Sequence, residues 1–197
     1  MKESIADPRQ QIILNAAWFA FAAYGYRKTS MDDIARGAAM SRPALYLHYR
    51  NKRDIFRSLV RQYYDDAAKA IEAALAGPGS ASEVLSAAFR AQGGEVTEAM
   101  LGSPHGMELL DTTSVTAADT VQAGEERLRA IYAAWLARIA GVGAGQGRFA
   151  GSEQDMAGTM TAALKGIKMA GTDYATYRTR VALLAAMIGA GLEASRA

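Results

Sequence analysis

The sequence predicts an all-α protein of about nine helices, and three observations predict this class. Apolar residues recur every three or four positions along most of the 197-residue chain, as on the buried face of a helix. β-Branched residues are sparse, and no stretch shows the strict apolar–polar alternation of a half-buried strand. Capping residues precede several of the apolar segments, and glycines follow them. The chain is therefore predicted to consist of helices joined by short breaks.

The first two helices have clear boundary signals. Residues 9–24 place apolar side chains on one face, and Gly25 stands where a left-handed C-terminal cap is needed. Thr29 or Ser30 can cap the second helix, and each is followed three residues later by an aspartate that completes a capping box. These signals predict that the second helix begins directly after this pair.

A short interruption at residues 38–41 separates the second helix from a third. Ser41 can cap the third helix, and Pro43 falls in its first turn, where a missing N–H costs nothing. A further stop at Arg50 and Asn51 ends it, and Asn51 can cap a fourth helix. Two helices joined by a turn of about four residues form a helix-turn-helix, whose second helix lies in the major groove of DNA.

The rest of the chain continues as helices separated by glycine-containing breaks. The adjacent glycines Gly93 and Gly94 weaken the fifth helix. The glycine-rich stretch 141–151 lacks the G-x-G-x-x-G spacing and a preceding strand, so it is predicted to be a loop rather than a nucleotide-binding site. The predicted helices are 52–76, 81–101, a small one around 106–111, 117–140, 152–170 and 173–195.

Charge is distributed unevenly along the chain. Residues 1–61 contain eleven Lys or Arg against five Asp or Glu, a net charge of +6. Residues 62–197 contain eleven against fifteen, a net charge of −4. A basic segment that coincides with a helix-turn-helix is the electrostatic pattern of a DNA-binding head on a body that does not bind DNA.

Composition argues against several classes of protein. The chain has no cysteine and only two distant histidines, His48 and His105, so we expect neither a metal site nor a disulfide framework. The longest apolar run, 181–192, is shorter than the ~20 residues of a membrane span, and acidic residues near the start argue against a signal peptide. No catalytic constellation stands out. We expect a cytoplasmic protein that has no cofactor and is not an enzyme.

Residues 9–60 carry a dense set of positions that match a known pattern. The matching residues are Ile13, Leu14, Asn15, Ala16, Ala17, Phe21, Gly25, Tyr26, Thr29, Ser30, Met31, Ile34, Ala35, Leu45, Tyr46, His48, Tyr49, Lys52 and Phe56. In these positions the chain resembles the N-terminal domain of TetR-type (TetR/AcrR) transcriptional regulators. More weakly, 164–166, 177–178 and 192–193 are similar to the dimerisation helices of that family. The resemblance implies a DNA-binding domain over 1–51 and an effector-binding and dimerisation domain over 52–197.

The resemblance also implies a set of DNA contacts. By the resemblance, the Thr29 hydroxyl and the Lys52 ammonium group would each contact a phosphate. Arg42 would face base edges, where it can pair with a guanine. Leu45 and Tyr49 are expected to pack the recognition helix onto the first helix instead. The full set of implied DNA-binding residues is Thr29, Ser41, Arg42, Pro43, Ala44, Tyr46, His48 and Lys52.

Three residues depart from the pattern of that family. Ala39 occupies a turn position where relatives often carry glycine, which tolerates positive φ, so a turn of that geometry adds strain of roughly 1 kcal/mol. Pro43 replaces a common small residue, which alters the bases that can be reached. Leu47 stands where many relatives carry an aromatic residue, so one groove contact is expected to be lost.

Two further sites are predicted in the body, each with a structural alternative. The last two helices carry small and soft residues that suit a four-helix dimer interface, while the alternative is a core within one chain. Large apolar residues of the middle helices suit a ligand pocket, while the alternative is ordinary packing. The predicted interface residues are Met160, Ala163, Ile167, Leu184, Met187 and Ile188, and the predicted pocket residues are Phe89, Met100, Met107, Tyr132 and Trp135.

Together these features predict a ligand-responsive transcriptional regulator. As a repressor it would bind a palindromic DNA operator as a homodimer and be released by a small molecule. One alternative is a DNA-binding protein of the same fold that lacks an inducer or acts as an activator. The other is a helical small-molecule-binding or carrier protein that does not read DNA.

Overall fold

The computed structural model describes residues 7–140, 151–170 and 173–194. Within these ranges the chain forms nine α-helices and no strand, which confirms the predicted all-α class. Most of the predicted loop, residues 141–150, lies outside the described residues. The helices are α1 (Pro8–Tyr24), α2 (Met31–Gly37), α3 (Arg42–Tyr46), α4 (Lys52–Leu75), α5 (Ala81–Gly102), α6 (Gly106–Thr116), α7 (Ala118–Ala140), α8 (Glu153–Met169) and α9 (Tyr174–Ala194).

The predicted caps set the boundaries of α1 and α2. Gly25 ends α1 with φ +81° and ψ 158°, and its N–H donates to the carbonyl of Phe21. The positive φ was predicted, but ψ is extended rather than left-handed helical. Ser30 begins α2 and forms a capping box with Asp33, which decides between the two residues proposed from the sequence.

The turn between α2 and α3 contains strained backbone. Ala39 has φ +51°, and it is the one non-glycine residue with positive φ among the residues described. The geometry that favours glycine is therefore required here, as the resemblance implied, and the alanine adds roughly 1 kcal/mol of strain. Ser41 then caps α3 by accepting the N–H of Ala44, and Pro43 lies in the first turn, as predicted.

The chain divides into two compact units. The first contains Met1–Tyr63 and Gly102–Val121, and the second contains Tyr64–Leu101 and Gln122–Ala197. This division groups α6 with the three N-terminal helices, whereas the sequence placed the domain boundary between residues 51 and 52. Both α4 and α7 contribute residues to each unit.

An apolar core holds the first unit together. The rings of Phe21, Tyr26 and Phe56 contact one another with centroids 5.0 to 5.6 Å apart, which joins α1 to α4. Leu45 and Tyr49 are buried within the same unit. This packing fixes one face of α3 inward.

Two contacts attach the α6 segment within the first unit. The Ser103 hydroxyl donates to the carbonyl of Ala22 at 2.8 Å. Arg57 on α4 donates to the carbonyl of Thr116 at 3.2 Å and forms an ion pair with Asp119. The hydrogen bond from Arg57 lowers the pKa of Asp119 to about 2. The segment of α6 is thus hydrogen-bonded to α1 near its start and to α4 at its end.

The core of the second unit is formed by residues that the sequence proposed as a ligand pocket. Phe89 and Tyr132 are fully buried with an edge-on ring contact at 5.7 Å, and Trp135 packs in the same cluster. Met100 is buried, whereas Met107 is exposed and belongs to the first unit. Phe89, Tyr132 and Trp135 therefore pack as core residues of the second unit, which is the structural alternative considered for them.

The predicted interface residues on α8 and α9 differ in how far they are buried. Met160 is only 2% exposed and packs in the core, so it is not available to a partner, contrary to the prediction. Ile167, Leu184 and Ile188 are partly buried against the core. Met187, by contrast, is 65% exposed. Ala163 is half-buried on α8.

Within the described residues, no helix combines the length and apolar character that crossing a membrane requires.

Candidate nucleic-acid interface

Helix α3 turns a row of side chains to solvent. Because Leu45 and Tyr49 are buried, the residues between and before them point away from the core. Tyr46 at the end of α3 is 42% exposed, and Leu47, the residue that caps α3, is 86% exposed. A helix presented in this way after a helix and a tight turn has the geometry of a recognition helix.

Arg42 lies at the start of this exposed row with two neighbours. Its Nη1 atom is 3.1 Å from Asp32 Oδ2, and its Nη2 atom donates to the hydroxyl of Tyr46 at 3.5 Å. These contacts raise the pKa of Arg42, the hydrogen bond to Tyr46 contributing most. Exposed ion pairs contribute little to stability, so the guanidinium can exchange Asp32 for another acceptor at low cost.

The other predicted contacts on α3 differ in accessibility. Ser41 and Pro43 are exposed, although the Ser41 hydroxyl already accepts the N–H of Ala44 at 3.3 Å. Ala44 is half-buried. His48 is also half-buried, and its Nδ1 atom lies 3.8 Å from Asp7 Oδ2, a pair that is ionic only when the imidazole is protonated.

Thr29 does not present its hydroxyl to solvent. The residue is 2% exposed, and its Oγ1 atom donates to the carbonyls of Gly25 at 2.7 Å and Ala20 at 3.2 Å. The predicted hydroxyl contact to a phosphate does not fit this geometry. Thr29 instead connects the turn before α2 to the end of α1.

Lys52 is likewise engaged with the protein. Its Nζ atom donates to the carbonyls of Tyr26, Arg27 and Thr29 at 2.7, 3.0 and 2.8 Å, and it lies 4.7 Å from the centroid of the Tyr26 ring. An ammonium group has three donors, so all of them are used. Partial burial lowers the pKa of Lys52, and Glu108 opposes this effect. The predicted phosphate anchor is thus a residue that holds the 26–29 turn.

Glu108 on α6 supports the same turn, although no signal in the sequence predicts this role. Its Oε1 atom accepts the backbone N–H of Arg27 at 3.0 Å, and its Oε2 atom is 3.4 Å from Nδ1 of His105. The hydrogen bond from Arg27 is the main cause that lowers the pKa of Glu108. Position 25 favours glycine because its φ of +81° strains other residues, and a Cβ there would also require the Glu108 carboxylate to shift.

Comparison with known proteins places this unit in a family. The sequence model of the family described as bacterial regulatory proteins, tetR family, matches residues 13–59. That range contains α2, α3 and the residues of the 26–29 turn. Over residues 13–59 the chain therefore matches the TetR family.

Similar proteins match part of the chain in sequence and nearly all of it in fold. An uncharacterized HTH-type transcriptional regulator of Bacillus subtilis, YezE, is 34% identical over 79 residues, which cover 40% of this chain and 41% of that protein. The matched segment thus spans about two fifths of that relative. A putative transcriptional regulator from Pseudomonas aeruginosa has the same fold, with a TM-score of 0.73 at 20% identity, over 98% of this chain and 96% of that one.

A third relative is known from its structure. SmeT, described as the repressor of the Stenotrophomonas maltophilia multidrug efflux pump SmeDEF, matches with a TM-score of 0.67 at 19% identity. The match covers 98% of this chain and 92% of SmeT. At this identity the likeness establishes the fold alone.

Apart from the half-buried Ala44 and His48, the predicted DNA contacts thus form two groups. Ser41, Arg42, Pro43 and Tyr46 are exposed together on α3, whereas Thr29 and Lys52 hold the turn. Leu47, the most exposed large apolar side chain of the group, was not among the predicted contacts. Leu45 and Tyr49 are apolar and four residues apart, which predicts that they share a buried face. That pattern could have shown from the sequence that Leu47 lies on the exposed face. The remaining exposed cations near α3 and the turn are Arg27, Lys28, Arg50 and Arg53.

Proposed function

We propose that the chain is a DNA-binding transcriptional regulator that reads its operator with the exposed face of α3. The observation that carries the proposal is the outward row that begins at Arg42 and ends at Leu47, fixed by the buried Leu45. Arg42 has the bidentate geometry that guanine accepts, and the apolar Leu47 suits a thymine methyl group. The net charge of +6 over residues 1–61 favours approach to phosphates.

The proposed regulator acts as a homodimer, because operators with two half-sites need two heads. The support is an apolar face on the last two helices, where Met169, Leu183 and Met187 are all exposed in the single chain. Leu183 and Met187 lie one turn apart on α9, and exposed apolar side chains on one helix face are typical of an interface. On α8, the exposed Ala162 and Gly166 precede Met169, and such small residues allow two helices to approach closely.

The proposal includes repression that a small molecule relieves. SmeT, a repressor, shares the fold, and α4 contributes residues to both compact units of this chain. Any shift of α4 would move Lys52 at its first position and thereby the 26–29 turn. Coupling free energies of about 1–3 kcal/mol are usual for such linkage and change affinity 5- to 150-fold.

Selection of bound sequences from random duplex DNA by the full chain tests the function directly. We expect an enriched pseudo-palindrome whose half-site centres are about 10 base pairs, or a multiple of that, apart. If no duplex is enriched at low salt, the proposal fails, and a helical binding or carrier protein that does not read DNA becomes the better interpretation.

Light scattering on two variants tests the dimer. Met187→Glu places a charge on the proposed interface and should convert the dimer to a monomer. Val115→Glu is the matched control, because Val115 is also a largely exposed apolar residue and belongs to the first unit. A Met187→Glu protein that remains dimeric would remove this face from the proposal.

A further inference from the structure

A cavity in the second unit lies beside the kink of α5, apart from the residues that the sequence proposed as a pocket. Its volume is about 150 Å³. On one side it is lined by Arg90 and the glycine pair of α5. On the other side it is lined by Tyr174, Tyr177 and Arg178 of α9.

The glycine pair creates the recess. A Cβ at Gly93 would lie 2.7 Å from the hydroxyl of Tyr177, so the tyrosine packs directly on the helix backbone. Gly94 has φ +54° and interrupts α5, and a Cβ there would have no atom within 4 Å. Two glycines inside a helix reduce its stability. Here Gly94 leaves open space beside the kink, and the hydroxyl of Tyr177 fills the space at Gly93.

Flat aromatic surfaces form part of the wall. The rings of Tyr174 and Tyr177 are stacked, with centroids 6.0 Å apart and planes inclined by 17°. Val181, which is buried, adds an aliphatic surface. Stacked aromatic and aliphatic walls favour a planar apolar ring over a flexible chain. An apolar cavity of ~150 Å³ can hold a benzene ring.

The charged residues that line the cavity are both arginines. The guanidinium of Arg178 lies 6.0 Å from the centroid of the Tyr174 ring, and Arg90 donates its Nε–H to the carbonyl of Ser86 at 3.2 Å. Among the described residues that line the cavity, none is acidic. Arginine binds carboxylates through two parallel hydrogen bonds, more strongly than neutral groups. The cavity therefore combines a surface for a ring with cations for an anion.

We propose that this cavity binds a monocyclic aromatic carboxylate of the benzoate class. The ring lies against Tyr174 and Tyr177, and the carboxylate pairs with Arg178 and Arg90. Binding itself does not depend on recognition of DNA. The consequence for transcription, release from the operator when the site is filled, rests on the proposed function.

Titration calorimetry on the full chain without DNA tests the site, with sodium benzoate as the probe. Benzamide is the neutral isostere, and acetate supplies the carboxylate without the ring. We expect saturable binding of benzoate and at least about tenfold weaker binding of the other two, because a charged hydrogen bond and a stacked ring are each lost. Absence of benzoate binding at millimolar concentration, or equal binding of benzamide, would overturn the proposal.

Two arginine variants on the same helix locate the site. Arg178→Gln should raise the Kd for benzoate about tenfold or more. Arg180→Gln is the matched control, because Arg180 is also exposed on α9 but does not line the cavity. An equal effect of both variants would mean that benzoate is attracted by surface positive charge in general, and it would overturn the proposed site. If Arg178→Gln does not fold, Arg90→Gln gives the same readout from α5.

The two proposals fail separately. A chain that binds benzoate but no duplex retains the site and loses the regulatory function. A chain that binds its operator but not benzoate retains the function and loses this ligand. Where both hold, benzoate should lower operator affinity in the wild type and not in Arg178→Gln.

Discussion

Residues on the outward face of α3 and residues at the 26–29 turn were both predicted to contact DNA. The former are exposed, whereas the latter are hydrogen-bonded within the protein. Arg42 and Tyr46 on α3 are exposed and held by contacts that DNA can replace. The Thr29 hydroxyl already donates to the carbonyls of Gly25 and Ala20, and the Lys52 ammonium group donates to carbonyls of the turn. A motif can therefore mix residues that touch a ligand with residues that give the binding surface its shape, and residue type alone does not separate them.

The largest effect is expected from the loss of Lys52. Lys52→Ala leaves the carbonyls of Tyr26, Arg27 and Thr29 without their donor, which should lower the free energy of unfolding by about 2–4 kcal/mol. Urea denaturation measures this change. Lys28→Ala is the matched control, since Lys28 is exposed beside the same turn, and it should change stability little.

Salt dependence of DNA binding decides between the two roles of Lys52. A residue that only shapes the turn leaves the slope of log K against log salt unchanged in variants that still fold. A drop of about one in that slope for Lys52→Ala would restore the phosphate contact that the sequence implied.

Arg42→Ala should have a large effect on binding and little on folding. Loss of a bidentate contact to a guanine is expected to reduce discrimination at one base position about tenfold or more. The melting temperature should stay near that of the wild type because Arg42 is exposed. Competition binding with operators mutated one base pair at a time measures the effect, and Arg53→Ala, an exposed arginine on α4, is the control.

Thr29→Val tests whether Thr29 stabilises the fold or contacts DNA, at nearly constant side-chain volume. It removes the hydroxyl that donates to the carbonyls of Gly25 and Ala20, and we expect about 1–2 kcal/mol of destabilisation. Thr29→Ser retains the donor and should retain most of that stability. Should Thr29→Val weaken DNA binding strongly while its stability is unchanged, Thr29 belongs with the contact residues after all.

The smallest effect concerns the turn that presents α3. Ala39→Gly relieves the strain at φ +51° and should stabilise the protein by up to about 1 kcal/mol, less the extra entropy of glycine in the unfolded chain. Ala38→Gly is the control, because Ala38 is buried with φ −84° and the same substitution should destabilise. Urea denaturation of both variants should give shifts of opposite sign.

The fold was largely predictable because its signals are local. The cap at Ser41, the choice of Thr29 or Ser30 as the cap of α2 and the weak point at Gly93 and Gly94 depend on neighbours within a few residues, and the structure agrees with them. Helix α6 is longer than the single turn or two predicted, since it extends to Thr116. The hydroxyl of Thr113 bonds to the carbonyl one turn earlier in it.

Parts of the candidate site depend on residues far apart in sequence, and these were not predictable. The bond from Arg27 to Glu108 joins positions 81 residues apart, and no periodicity records it. The pairing of Lys52 with the turn spans 23 to 26 residues. For the same reason the sequence could not tell that Phe89 and Tyr132 fill the core while Tyr174 lines a cavity.

The ion pair between Arg42 and Asp32 places an internal carboxylate in competition with DNA for the Arg42 guanidinium. Any duplex must displace the carboxylate of Asp32 before it can use the guanidinium. A guanine at the correct position offsets the lost ion pair with two hydrogen bonds, but a random sequence does not. The Asp32 carboxylate should therefore increase the difference in affinity between the operator and random duplex DNA. Asp32→Asn should therefore tighten binding to random duplex more than to the operator, and an equal gain on both would show that the carboxylate acts only as a bulk charge.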